Sequence, residues 1–163
     1  MKNRYIVNEV ITEYLDSRYI PLSEDLQEFR AQAEADGVPV ILRDTERLLD
    51  VLINIVKPHK ILEFGTAVGY SACFFAESLK RAEVGEFSVT SLESDEVVYL
   101  KAVDNINKFG LGDRVNLILG DAARTADNLQ GEFDFVFIDA AKSHYRTYFD
   151  LSLKKSHTGT LIV

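Results

Sequence analysis

The chain has 163 residues, 47% of them hydrophobic and 27% charged, which is enough for one apolar core and short for two. Its net charge of -8 and pI near 4.9 argue against a nucleic-acid surface spread over the whole molecule, leave room for a local basic patch, and favour a cationic small ligand. The single cysteine, Cys73, excludes an internal disulfide framework, no apolar run reaches the length of a membrane span, and the charged opening MKNRYIVNEVITEYLD lacks the apolar core of a secretion signal, so the cytoplasm is the default compartment.

The first sixty residues carry helical spacing and no strand pattern. Helices are predicted over Arg4–Tyr19, Leu22–Ala35 and Asp44–Val56, with Gly37 and Pro39 separating the second from the third. Residues 1 to 40 hold eight acidic and four basic side chains, so this stretch is a cap on the rest or a partner surface rather than a phosphate-binding face. From Lys60 onward the pattern alternates. Short apolar runs at Lys60–Phe64, Phe87–Leu92, Val115–Leu119, Phe133–Ile138 and Thr160–Val163 read as strands. Between them Tyr70–Leu79, Asp95–Phe109, Ala122–Leu129 and Lys142–Leu153 read as helices, with Ser94 as an N-cap and Gly110 just past a helix end. Strand and helix in turn predict an α/β fold with a doubly wound, mostly parallel sheet. No repeat or linker divides the chain, so residues 1–163 read as a single domain, with a helical cap at 1–58 and a Rossmann-like core at 59–163.

In such a sheet ligands bind beyond the carboxyl ends of the strands, and ILEFGTAVGYS places Gly65 and Gly69 there. The spacing Gly-x-x-x-Gly is not the Gly-x-Gly-x-x-Gly of a dinucleotide cradle, and Glu63 just before it would repel a pyrophosphate. A carboxylate there suits a positively charged nucleoside, although two glycines alone also read as a tight strand-to-helix turn. Three more acids fall at strand ends: Glu93 in SVTSLES, Asp121 in ILGDAA and Asp139 in FVFIDAAK. Each singly is a common helix cap; together they would converge on one crevice, where an acid after the second strand can accept both ribose hydroxyls.

ILEFGTAVGYS, SLES, GDA and FIDAAKSHY, in that order, resemble the bacterial branch of the catechol and caffeoyl-CoA type O-methyltransferases, enzymes that use S-adenosylmethionine and a divalent metal. Within that branch the chain resembles most closely the enzymes that methylate 5-hydroxyuridine in tRNA, which carry a similar helical start and a segment like VPVI at Val38–Ile41. The resemblance implies a Rossmann-like class I methyltransferase. It implies that Glu63, Gly65, Thr66 and Ser71 line the methionine end of the cofactor, that Gly69 also belongs to the cofactor site, that Glu93 holds the ribose, that Asp121 and Ala122 flank the adenine, and that Asp139 both touches the cofactor and binds the metal. Lys142 would be the general base, and Asp139 and Lys142 together the catalytic pair. Lysine titrates near 10.4, so that role needs adjacent positive charge or desolvation. Magnesium, manganese or calcium would suit the oxygen ligands. The resemblance also implies an Asp-Asn pair and two further strands beyond GTLIV, so the expectation is a chain truncated at its C-terminus, either a fragment of a longer polypeptide or a remnant lacking the remaining metal ligands.

Several residues have plainer readings. His59 and His157 sit in turns at the surface, His144 faces solvent or approaches substrate, and Cys73 belongs to the core. Tyr145, Tyr148 and Phe149 are expected to pack the last helix on the sheet. The acceptor would present two adjacent oxygens, as a catechol or 5-hydroxyuridine does; the acidic composition favours a small catechol or acyl-linked phenol, the closer family resemblance favours tRNA and is modestly the stronger argument, and Lys142, Arg146, Lys154 and Lys155, expected near the mouth, are consistent with RNA. A homodimer is the expected assembly. The alternative is a catalytically silent cofactor-binding module acting through dimerisation or protein partners.

Overall fold

A computed structural model describes residues 8–163. Its centre is a five-stranded parallel sheet in the order β3-β2-β1-β4-β5, built from β1 (Lys60–Phe64), β2 (Ser88–Glu93), β3 (Val115–Leu119), β4 (Phe133–Ile138) and β5 (Ser156–Ile162). The order reverses direction at β1, so the helices after β1 and β4 run to opposite faces of the sheet and leave an opening at the carboxyl edge. Strand β5 starts four residues earlier than the apolar run suggests. Ser156 pairs with Phe133, then the register slips and Leu161 pairs with Phe135, so the polar stretch between them bulges.

Alternation along β1 divides the core into two layers. Ile61 joins Phe75, Val89, Phe135 and Phe137 on one face, while Leu62 and Phe64 join Leu92, Val136, Tyr148 and Leu151 on the other. The first layer is covered by α4 (Tyr70–Arg81) and α5 (Glu96–Lys108), the second by α6 (Ala122–Thr125), a 3-10 turn at Ala126–Asn128, and α7 (Tyr145–Lys154) preceded by a turn at Lys142–His144. Asp95, not Ser94, caps α5, its carboxylate accepting from Val98 N at 2.9 Å; a side chain one residue closer to the first turn reaches that donor. Gly110 has φ 63 just past the end of α5, the left-handed turn expected there.

The cap consists of α1 (Glu9–Ser17), α2 (Glu24–Ala35) and α3 (Arg43–Val56); the part of the first predicted helix before residue 8 lies outside the described residues. Leu26, Leu49 and Ile53 bury their side chains in the α4 layer, whereas α1 buries none. The strap Gly37–Leu42 between α2 and α3 runs to the same edge of the sheet as the glycine turn. Helix α7 turns out rotated from expectation. Tyr148 and Leu151 face the sheet, whereas Tyr145, Phe149 and Leu153 are exposed, because a period of 3.6 cannot bury both sets. Among the described residues no helix is long and apolar enough to cross a membrane.

Candidate functional site

The turn after β1 is stitched to its neighbours through the backbone. Gly65 N and Thr66 N both donate to Leu92 O at 3.1 Å, and Asp139 N donates to Phe64 O at 3.0 Å. Gly65 has φ +96, and a Cβ there would lie 2.2 Å from the Asp139 carbonyl oxygen, so the backbones after β1 and β4 touch where any side chain would intrude. Gly69 (φ +86) begins α4 over Ala102 of α5; it shapes the turn and does not line the crevice.

The crevice has two hollows that meet at Gly65, Ala67 and Asp139. One, of about 440 Å³, lies between the glycine turn and the strap: Val40, Ile41, Leu42, Thr66, Tyr70 and Ser71 are among its walls. The other, of about 470 Å³, is walled by Glu93, Asp121, Ala122, Ala141, His144 and Tyr148. Three of the four strand-end acids thus converge as predicted, and each is held by backbone donors or exposed. Glu93 Oε1 accepts from Ser94 N at 2.8 Å and Asp95 N at 2.9 Å, and its Oε2 accepts from Ala67 N at 2.9 Å. That last bond secures Ala67 at φ 47, an uncommon conformation for a residue with a side chain, and leaves Oε2 with spare acceptor capacity. Asp121 caps α6 through Ala123 N at 2.9 Å, so the cap reading and the site reading hold for the same carboxylate. Asp139 is exposed where the hollows join.

Glu63 departs from expectation. It is 0% exposed, lies on the α4 face of β1, and forms no part of the crevice wall. Ser91 Oγ donates to its Oε2 at 2.5 Å and shares a 2.6 Å bond with Thr66 Oγ1, which does line the wall, while Oε1 has no partner. Burial pushes its pKa up to about 7, the Ser71 and Ser91 hydroxyls pull it down, and the charges of Asp139 and Glu93 add to the rise. Glu63 acts on the crevice from beneath, through this hydroxyl chain and through its charge.

Lys142 also departs. It stands exposed in the turn before α7 and does not line the crevice, because the chain presents Ala140, Ala141 and His144 there instead. The expected basic cluster disperses as well. Arg146 pairs with Asp150 at 3.0 Å and Lys154 with Asp127 at 3.1 Å, while Lys155 donates to the carbonyls of Asp127 and Leu129. Lys154 and Lys155 end α7, at the amino edge of the sheet opposite the crevice.

The residues fit a nucleoside with an amino-acid tail. Two joined hollows, one rimmed by acceptors and one lined by a backbone turn and hydroxyls, are of the size that takes a ligand of that class. A metal is another matter. Among the described residues no three His, Cys, Asp or Glu side chains gather to hold one, and Asp139 alone does not supply the six or so oxygens a hard cation takes. These residues by themselves assign no step to a metal ion.

Sequence reasoning missed part of the wall. Thr45 and Leu42 lie beside the noticed VPVI segment, and Tyr148 lines the crevice while stacking 5.1 Å from Phe64. It also missed the buried group Arg30, Glu46 and Tyr70, for which an isolated charge in an amphipathic helix gives no signal.

Residues 15–163 match the O-methyltransferase family. A caffeoyl-CoA O-methyltransferase from Stellaria longipes is 30% identical over 95% of this chain and 67% of its own, and a catechol O-methyltransferase from Niastella koreensis is 35% identical over 80% of this chain and 60% of its own. The chain therefore spans about two thirds of the length of these relatives. Among solved structures, an O-methyltransferase from Bacillus cereus in complex with SAH superposes with TM-score 0.81 and 31% identity, covering 94% of this chain and 70% of that one.

Proposed function

From the premise that the chain belongs to the O-methyltransferase family, we propose that it binds S-adenosylmethionine across the two hollows, as part of an enzyme that methylates a hydroxyl beside a second oxygen. The observation that carries this reading is the convergence of Glu93, Asp121 and Asp139 on one crevice divided at Gly65. The cofactor supplies an electrophilic methyl on a sulfonium. Glu93, through the free capacity of Oε2, holds the ribose; Asp121 and Ala122 flank the base; and the glycine turn with Thr66 and Ser71 takes the amino-acid tail. The reacting atoms then lie near Asp139, between the hollows, where orientation of acceptor and methyl contributes most to rate. Lys142 can serve as base only if the site closes over it, so Lys142→Met should lower kcat more than it raises KM.

A small catechol-type phenol is the acceptor this reading favours. The relatives compared above are named for catechol and caffeoyl-CoA, the net charge is -8, and two of the four expected basic residues lie at the far edge of the sheet. Methyl transfer to catechol, caffeoyl-CoA and hydroxylated tRNA across a salt series decides the matter. Catechol turnover with little salt dependence is expected; tRNA methylation that falls steeply with salt would make tRNA the substrate. A divalent ion belongs to the same reading, with Asp139 as one ligand, and full turnover after chelation would remove it. The catalytically silent module is the weaker reading, since the relatives are named as enzymes. Leu48, Val51 and Ile55 put an exposed apolar stripe along α3, which supports a homodimer, and light scattering tests that assembly. Residues 1–163 acting as a single cytoplasmic domain complete the proposal.

A further inference from the structure

The strap Pro39–Leu42 forms one wall of the tail-side hollow, yet no strand or helix holds it. What holds it is a buried charged group. Arg30 of α2, 3% exposed, donates from Nη2 to the carbonyl of Ile41 at 2.7 Å and to Glu46 Oε1 at 2.6 Å. Glu46 of α3, 2% exposed, accepts in turn from the hydroxyls of Tyr70 and Tyr19. The Arg30 guanidinium lies over the Tyr70 ring, 4.8 Å from its centroid. Tyr70 is the first residue of α4, directly after the glycine turn, and both Tyr70 and Ile41 line the hollow. One guanidinium and one carboxylate thus join the strap, the two long cap helices and the start of α4 at a single point.

Stability alone is a poor account of this arrangement. Buried ion pairs are often replaceable by apolar residues of similar volume without loss of stability, because desolvation offsets their attraction. This one is also incompletely satisfied, since Arg30 Nε has no partner. What an apolar trio cannot do is hold a main-chain carbonyl of the strap at a set distance from the glycine turn. Direction is what charge-assisted bonds add.

We infer that Arg30, Glu46 and Tyr70 are positioning residues that set the strap against the glycine turn and so shape the tail-side half of the crevice for the amino-acid end of the cofactor, leaving the adenosine half unaffected. The inference rests on the cofactor reading above. The other hollow shares Gly65, Ala67 and Asp139 with the first and draws its remaining walls from the end of β2, the turns after β3 and β4, and Tyr148 of α7, and no cap residue lines it. Two ligands separate the halves: S-adenosylhomocysteine spans both, and adenosine occupies one.

The test measures both affinities by calorimetry in the parent chain, in Arg30→Met/Glu46→Leu, and in Leu111→Ala as a control destabilised far from the strap. The double variant leaves no unpaired buried charge and is expected to fold, with a melting temperature close to the parent's. Its affinity for S-adenosylhomocysteine should fall roughly tenfold, the scale of one lost charge-assisted contact, while adenosine binds as before. The control should melt earlier and keep both affinities. Should the double variant not fold, Tyr70→Phe removes one hydroxyl from Glu46 and should weaken S-adenosylhomocysteine several-fold, again without touching adenosine. Equal S-adenosylhomocysteine affinity in the folded variants overturns the inference, and so does an equal loss for both ligands, which would make the group a support for the whole fold. Failure of the parent chain to bind S-adenosylhomocysteine would remove the cofactor reading itself, and this inference with it.

Discussion

The two hollows of the crevice are built by different means. The adenosine half is made of strand ends: Glu93 closes β2 and Asp121 caps the helix after β3, both are held by amides one or two residues away, and Glu93 is tied in addition to Ala67 N of the glycine turn, none of them residues of the helical cap. The tail-side half is closed by a strap twenty or more residues earlier in the chain, secured by Arg30 through contacts spanning 11 to 16 residues. Local hydrogen bonds make the first half independent of the cap. The second half exists only when cap and sheet are docked.

The largest test strikes the point the halves share. Gly65→Ala puts a Cβ 2.2 Å from the Asp139 carbonyl oxygen at a positive φ, so the loops after β1 and β4 must separate. A loss of about 4 kcal/mol or more is expected, read as an early thermal transition together with loss of S-adenosylhomocysteine binding in both halves. A folded Gly65→Ala chain that still bound adenosine would show that the halves do not meet there.

Glu63 sharpens the comparison from the tail side. Its carboxyl holds a proton to about pH 7 when folded and to about 4.5 in the unfolded chain. Between those values the folded state binds more protons, so stability falls as pH rises: the favourable contribution is complete below 4.5 and gone above 7. Glu63→Gln should match the parent near pH 4 and exceed it at pH 8 by about 3 kcal/mol at most. Denaturant melts at both pH values check this; the same difference at both would mean that the carboxyl is ionised throughout.

Glu93→Ala comes next. It removes the ribose acceptor and the support for Ala67 at φ 47, and the expected loss of S-adenosylhomocysteine affinity is about 2 kcal/mol, or some thirtyfold. Adenosine should weaken by the same factor, unlike in the Arg30 and Glu46 variants. The smallest effect belongs to Asp121→Ala, which deletes the cap of a four-residue helix and should cost about 1 kcal/mol of stability, measured by chemical denaturation. Restoration of stability but not of adenosine binding by Asp121→Ser would separate cap from ligand contact.

The sequence by itself determined the sheet, the glycine turn and three of the converging acids, because each depends on residues close together in the chain: an apolar run, a positive φ, a carboxylate one turn from the amide it caps. The short, almost continuously apolar run of β1, buried from Ile61 to Phe64, and the left-handed Gly65 and Gly69 needed no partner to be readable. Tertiary structure decided the remainder. Whether Glu63 lines the crevice or lies beneath it depends on how α4 covers β1, and the packed side of α7 depends on its rotation over Phe64 and Leu62. Lys154 and Lys155 follow Arg146 by little more than two helical turns, yet α7 carries them to the opposite edge of the sheet. The Arg30–Glu46 contact was invisible for the same reason. A buried ion pair is a property of two helices meeting, and neither helix alone distinguishes the charge it will bury from those it leaves in water.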